Sequence, residues 1–515
     1  MNKSRLQYAV LNMGVSGMTT VLKMVLSFAS RTIFIYILGS KFLGLNGLLT
    51  SILTTLSLAE LGIGNAIIYS LYRPVADSDW PVVKSIMHLY RKIYRILAVM
   101  VFIIGLLLLP FLPHIVGKNV ISNFELYYMI LLINSSVSYL LTYNRSLIIA
   151  NQRNYVVSVV DFSAYVFTVM VQIFILFFFK SYTFYLIAQV VFTILGNVVL
   201  TIYVHKEYGK YFVGIDFVNI PKGIIKKLKK NVIGTFANKV GDVIVNGTDS
   251  ILIAMFISLS TVGLYSNYQL IILAVQSVLL SVSSAMTSSI GNFAAGDHSA
   301  HGLELFYKHQ FMNYSLTFFS SAFLIALLPL FISFWLGSDY LLSIEATVIM
   351  IINFVVNRQR NSGNVFIEAY GLAYEQRLKP LLEAVINLSL SVLFLVVFHL
   401  GILGILLATT VTSTFIATTY EAWVIFKYGF KQSVWKFYSR YLKLLSELGV
   451  NLLVVYYVSQ FVANHFYSNK LLLLVVIFLL TVITSTALYW FINFKKSEFR
   501  YVKNILVSRF RRNQK

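Results

Sequence analysis

Long apolar stretches recur along most of the 515 residues, broken by short polar loops. A helical membrane span needs about 20 mostly apolar residues. Fourteen segments meet that need: 11–37, 42–71, 93–113, 124–149, 155–179, 182–204, 232–257, 262–290, 310–336, 343–368, 380–399, 401–426, 441–462 and 470–493. The expected fold is an all-α polytopic membrane protein with about 14 transmembrane helices. Loops after odd-numbered spans are mostly very short, and those after even-numbered spans are longer and basic.

A shift of 219 residues lays the first half on the second without gaps. It matches Asn12 with Asn231, Val21 with Val240, Gly44 with Gly263, Asn134 with Asn353, and Tyr155 with Tyr374. Spans 1–6 fall on spans 7–12. Six spans per repeat return the chain to the same orientation, so the repeats are parallel and pseudo-symmetric, and spans 13 and 14 lie outside them. The expected organisation is a six-helix lobe over 1–204, a basic linker over 205–231, a second lobe over 232–427, two helices over 428–494 and a basic tail over 495–515.

Polar positions mark the lobes' first helices. Span 1 carries Asn12, Ser16, Thr19, Lys23, Ser27 and Ser30. Span 7 carries Asn231, Thr235, Asn238, Asp242, Asn246 and Asp249. Both series advance by three or four residues, which is one helix face. Such stripes line a water-filled cavity or pack helices together. The presence of Lys23, Asp242 and Asp249 points to a cavity, whose access would alternate as one lobe rocks against the other.

Charge sets the orientation. The net charge is +22, but it is distributed as topology requires, which argues against a nucleic-acid partner. Outside the spans, only Lys41, Lys118, Lys180 and Lys470 lie on one side, and the other loops and both termini take the rest. By the positive-inside rule both termini are cytoplasmic. The tail is expected to lie on anionic lipid. Cysteine is absent, which removes disulfides and thiol chemistry. There is no phosphate-binding GxxxxGK[ST] loop, no histidine spacing suited to a metal, and no soluble catalytic domain, so an enzyme is not expected.

Five cations stand well inside the spans: Lys23, Arg31, Lys239, Arg358 and Arg360, whereas Arg95, Arg145 and Lys443, near span ends, count with the cytoplasmic loops. Each costs about 2.5–3.5 kcal/mol at bilayer depth on insertion scales, so such residues face a cavity or a partner. With Asn353, Asn357 and Asn364 they form the candidate substrate site. Arginine would meet phosphate, and the amides would meet sugar hydroxyls. The alternative for Arg358 and Arg360 is pairing with Glu368 or an acid on another helix. Lys23 also has a repeat-equivalent partner in Asp242, and Lys239 is near Asp242 in sequence. Asp249, Asp242 and Asp161 are candidates for proton or sodium coupling, or equally for counter-ions. Glu60 and Glu383 read as packing residues.

Three segments resemble a known family. They are SRTIFIYILGSKFLGLNGLLTSILTTLSLAELGIGNAIIYSLYRPVAD, TDSILIAMFISLSTVGLYSNYQLI and NRQRNSGNVFIEAYGLAYEQRLKPLLEAVINLSLSVLFLVVFHLGILGI. They are similar to Wzx-type oligosaccharide flippases of the multidrug/oligosaccharidyl-lipid/polysaccharide (MOP) exporter superfamily. The resemblance implies a MATE-like pair of six-helix lobes in a bacterial cytoplasmic membrane. It implies an undecaprenyl-pyrophosphate-linked oligosaccharide as substrate, turned across the membrane for capsule, exopolysaccharide or O-antigen assembly. It further implies no cofactor beyond a proton or sodium gradient, and a polysaccharide polymerase and glycosyltransferases as partners. A lipid II flippase and a cation-coupled drug exporter remain alternatives.

Overall fold

The computed structural model describes residues 5–57, 63–116, 121–221, 223, 225, 247–294, 299–372, 374–465 and 469–500. Lys239, Asp242, Glu60, most of the span 7 stripe and the tail beyond 500 lie outside the described residues. Helices dominate what is described, with no strand among those residues. The chain divides into two compact units, Met1–Gly263 and Leu264–Lys515.

The first unit contains α1 (Arg5–Leu56), α2 (Ile63–Ala76), α3 (Trp80–Leu108), α4 (Leu112–Val116), α5 (Phe124–Ala150), α6 (Asn154–Phe179) and α7 (Tyr182–Tyr208). It also holds α8 (Gly247–Phe256) and the start of α9 (Leu259–Ala294). Two expected spans are merged in α1 and α2. The break between them falls at Gly39, whose φ of 82° and ψ of 175° only glycine adopts without strain. Helix α3 begins well before the expected span. Asp79 accepts a hydrogen bond from the Val82 N–H, and Pro81 occupies the first turn, both strong start signals. Its early half is a basic ledge on which the first part of the expected linker rests. Lys84 Nζ donates to the carbonyls of Phe212 and Ile215 at 3.1 and 2.6 Å, and Trp80 stacks on Tyr211.

Helix α6 packs on α1 and α7, and α5 packs on α3 and α7. Gly44 and Gly263, the pair matched by the repeat, touch within this unit. A Cβ on Gly44 would collide with the Leu259 carbonyl, and one on Gly263 would stand 2.6 Å from the Ser40 oxygen. Small residues allow this backbone approach between membrane helices.

The second unit contains the rest of α9, then α10 (Ser299–Trp335), α11 (Ile344–Ala369), α12 (Lys379–Val396), α13 (Ile402–Val411), α14 (Thr418–Val424), α15 (Trp435–His465) and α16 (Lys470–Asn493). Two π-helical turns, Thr412–Ala417 and Ile425–Phe430, bracket α14. Helix α10 packs against α11, α15 and α16. An aromatic core of Phe306, Phe366, Phe426, Phe430 and Phe437 meets largely edge to face, as ring quadrupoles favour.

Among the described residues, eleven helical stretches are long and apolar enough to cross a membrane. Helix α11 has 26 residues, ample length for a span, but is too polar to be one of the eleven. With α2, α8 and α11, the helices accord with the expected fourteen spans.

Candidate functional site: two charge clusters between helices

In the second unit α11 sends both arginines inward. Arg360 grips Glu421 of α14 through two hydrogen bonds, Nη2 to Oε1 at 2.7 Å and Nε to Oε2 at 3.1 Å. Its Nη1 reaches Glu383 of α12 at 3.3 Å. Lys379 completes the group, with Nζ 3.0 Å from both Glu383 and Glu421. All four side chains are at most 9% exposed. Two cations and two carboxylates make the quartet neutral. Arg360 therefore has the pairing alternative that its sequence left open, with acids other than Glu368.

Arg358 is likewise buried and donates to Asn313 Oδ1 at 3.2 Å. Asn313 donates to Ser362 Oγ at 2.8 Å, and that hydroxyl lies 3.0 Å from His309 Nδ1. Asn353 is also committed: it donates to the Leu406 carbonyl at 3.0 Å and accepts from Thr410 Oγ1 at 2.7 Å. Asn357 and Asn364 are exposed. The structure thus divides the α11 members of the expected substrate site. Two amides look out of the unit, while both guanidinium groups reach in towards acids and amides of neighbouring helices.

In the first unit the central cation is Arg145 of α5. Its Nη1 lies 2.7 Å from Asp161 Oδ2 of α6. Its Nε and Nη2 both donate to Asn197 Oδ1 of α7, at 3.2 and 2.8 Å. The Arg145 and Asp161 side chains are 26% and 28% exposed. Asp161 shares a stripe of α6 with Ser158 and Tyr165, at steps of three and four residues. Both neighbours meet α1: Ser158 is 2.8 Å from Ser16, and Lys23 Nζ stands 6.0 Å from the Tyr165 ring centre. Asn12 donates to Gln152 O and accepts from Tyr155 N–H, each at 2.8 Å. Thr19 and Ser27 bond to carbonyls of their own helix. For the span 1 amide and hydroxyls, then, the role seen is bonding to α6, to their own backbone or, for Ser30, to Tyr185 of α7.

Arg31 is partly buried on α1, beside Ser30 and within electrostatic range of Tyr185. Phe34 packs edge-on against Tyr182 and Tyr185 in the same region. Asp249 is buried on α8. Among the described residues no cluster of three or more histidines or carboxylates is suited to a metal.

Sequence reasoning counted Arg145 and Lys379 with the cytoplasmic charges and did not single out Glu421 or Asn197. The repeat carried a usable signal. Arg145 aligns with position 364, one turn from Arg360, and Asp161 aligns with 380, one turn from Glu383. Each repeat therefore places an arginine on its fourth span, an acid on its fifth, and an oxygen acceptor on its sixth.

The family model described as "Polysaccharide biosynthesis protein" matches residues 9–287, more than half of the chain. The chain belongs to that family. No curated protein matches the chain. Its fold is similar to an inward-facing MATE-family multidrug transporter of the MOP superfamily, at TM-score 0.65 and 13% identity, covering 81% of this chain and 98% of the other. It is similar to the lipid II flippase MurJ in an inward closed conformation, at TM-score 0.62 and 13% identity, covering 93% and 98%. A third likeness is to a MOP superfamily transporter from Pyrococcus furiosus, at TM-score 0.56 and 12% identity, covering 82% and 96%. Family, fold and its long apolar helices together make it a multi-pass membrane protein with a fold like that of these transporters.

Proposed function

We propose that this protein flips an undecaprenyl-pyrophosphate-linked oligosaccharide across a bacterial cytoplasmic membrane by alternating access. The observation that carries the reading is the outward amide face of α11. Asn357 and Asn364 are exposed on a helix too polar to be counted with the apolar spans. Unpaired amides are not tolerated against hydrocarbon, so this face meets water or a polar ligand. Amides are suited to sugar hydroxyls, and the family's association with polysaccharide biosynthesis supports a carbohydrate cargo.

In this reading Arg31, Lys23 and Lys239 supply positive charge for the pyrophosphate, and the lipid tail stays in the bilayer. Arg358 and Arg360 support the fold of the second unit instead. A proton or sodium gradient drives the cycle, with Asp249 and Asp242 as coupling groups. Both termini are cytoplasmic, and glycosyltransferases and a polymerase act before and after the flip.

The test uses proteoliposomes carrying labelled lipid-linked oligosaccharide in the inner leaflet. The expected result is protein-dependent exposure to an external glycosidase, faster under a pH or sodium gradient. Exposure of lipid II alone would move the assignment to peptidoglycan precursor transport. Exposure of neither lipid would leave drug export as the reading to pursue.

A further inference from the structure

Arg145 and Asp161 are a partly exposed ion pair on two apolar helices of membrane-spanning length. Arg145 is five residues from the end of α5, or about 8 Å along the axis, and Asp161 is about 10 Å into α6. A charged pair that is about a quarter exposed at this depth needs water or a polar ligand at its open side. The pair also has a cationic neighbour. Lys23 stands over Tyr165, one turn along α6 from Asp161.

The geometry of the guanidinium divides its two partners. Asn197, a neutral acceptor that is itself buried, takes Nε and Nη2 and fixes the plane of the group. Asp161 takes Nη1 end-on through one oxygen. A guanidinium binds phosphate best through two parallel N–H donors. Exchange of Asp161 for a phosphate oxygen would leave the Asn197 anchor intact and put an anion where one already sits.

We propose that Arg145 is the docking cation for the substrate's diphosphate, and that Asp161 is an internal stand-in which the phosphate displaces. This rests on the flippase reading above and adds to it a site on α5, α6 and α7, with Asn197 as the positioning residue. Asp161 thereby becomes a competitor of the substrate rather than a coupling site. It also keeps the first unit's cluster nearly neutral while no substrate is bound, which lowers the cost of an open intramembrane cation.

The experiment measures binding of undecaprenyl diphosphate to the full chain in nanodiscs, with undecaprenol as the phosphate-free control and inorganic pyrophosphate as competitor. Asp161→Asn is expected to tighten diphosphate binding about tenfold, and Arg145→Ala to weaken it at least about tenfold. The double variant should bind as weakly as Arg145→Ala. Undecaprenol binding should be the same in all four proteins. If Asp161→Asn weakens binding as Arg145→Ala does, the pair is a structural brace and the proposal fails while the flippase reading stands. If wild-type protein does not distinguish the diphosphate from undecaprenol, the flippase reading itself fails. Thermal melting of each variant separates loss of binding from loss of fold.

Discussion

Arg145 and Arg360 hold nearly the same place in the two repeats, one helical turn apart, and each reaches an acid on the next span and an oxygen on the one after. Their surroundings differ. Arg360 shares two carboxylates with Lys379 in a group sealed from solvent. Arg145 has one carboxylate and one neutral amide, and both members of its ion pair are partly exposed. Residue type alone therefore does not mark an intramembrane cation as a ligand for cargo. The number of carboxylates around it and its access to water decide whether it braces helices or offers a charge.

The contrast is most severely tested in the second unit. Glu421→Gln leaves Arg360 and Lys379 with one buried carboxylate between them. Breaking a buried pair typically costs about 3–5 kcal/mol, so the variant should melt far below wild type in detergent and accumulate poorly in cells. Near-wild-type melting would show that the quartet is not a desolvated brace. Arg145→Ala should behave in the opposite way. A partly exposed pair contributes about 1 kcal/mol or less, so its melting should shift little while flipping in proteoliposomes falls at least about tenfold. A variant that unfolds as readily as Glu421→Gln would erase the distinction between the clusters.

The smallest expected effect lies on α11. Asn357→Ala and Asn364→Ala remove exposed amides, and stability should stay within about 0.5 kcal/mol of wild type. Transport of the oligosaccharide-linked lipid should require a severalfold higher substrate concentration, whereas binding of undecaprenyl diphosphate without sugar should not change. Equal losses for both lipids would take the sugar-binding role away from this face.

Hydropathy made the spans legible because the bilayer sets a minimum apolar length for a span. It was less informative where polar residues cluster. Helix α11 was read as an ordinary apolar span although it is too polar to be one of the eleven, and the extended start of α3 was missed because its basic residues resemble a loop. For site residues the limitation was one of partners. Arg360 and Asn357 are three residues apart, but Glu421 is 61 residues from Arg360, and a helical wheel does not show which neighbours a long side chain will reach. Arg145 was counted with the cytoplasmic charges because it lies near the end of the expected 124–149 span, and the helix does run to Ala150. The repeat offset is the sequence signal that relates it to Arg360.

The order in which the quartet's members occur along the chain has a consequence for biogenesis. Arg358 and Arg360 enter the membrane on a helix that hydropathy alone does not favour, and each resists insertion by about 2.5–3.5 kcal/mol near a span's centre. Glu383 follows Arg360 by 23 residues and Glu421 by 61. At about 5–20 residues per second, the ribosome takes roughly 3–12 s to deliver the second acid. During that interval α11 has to be sheltered by the insertion machinery or by α10. Only when the α14 segment emerges does the nascent chain supply the last of the four charges that let this helix settle among its neighbours.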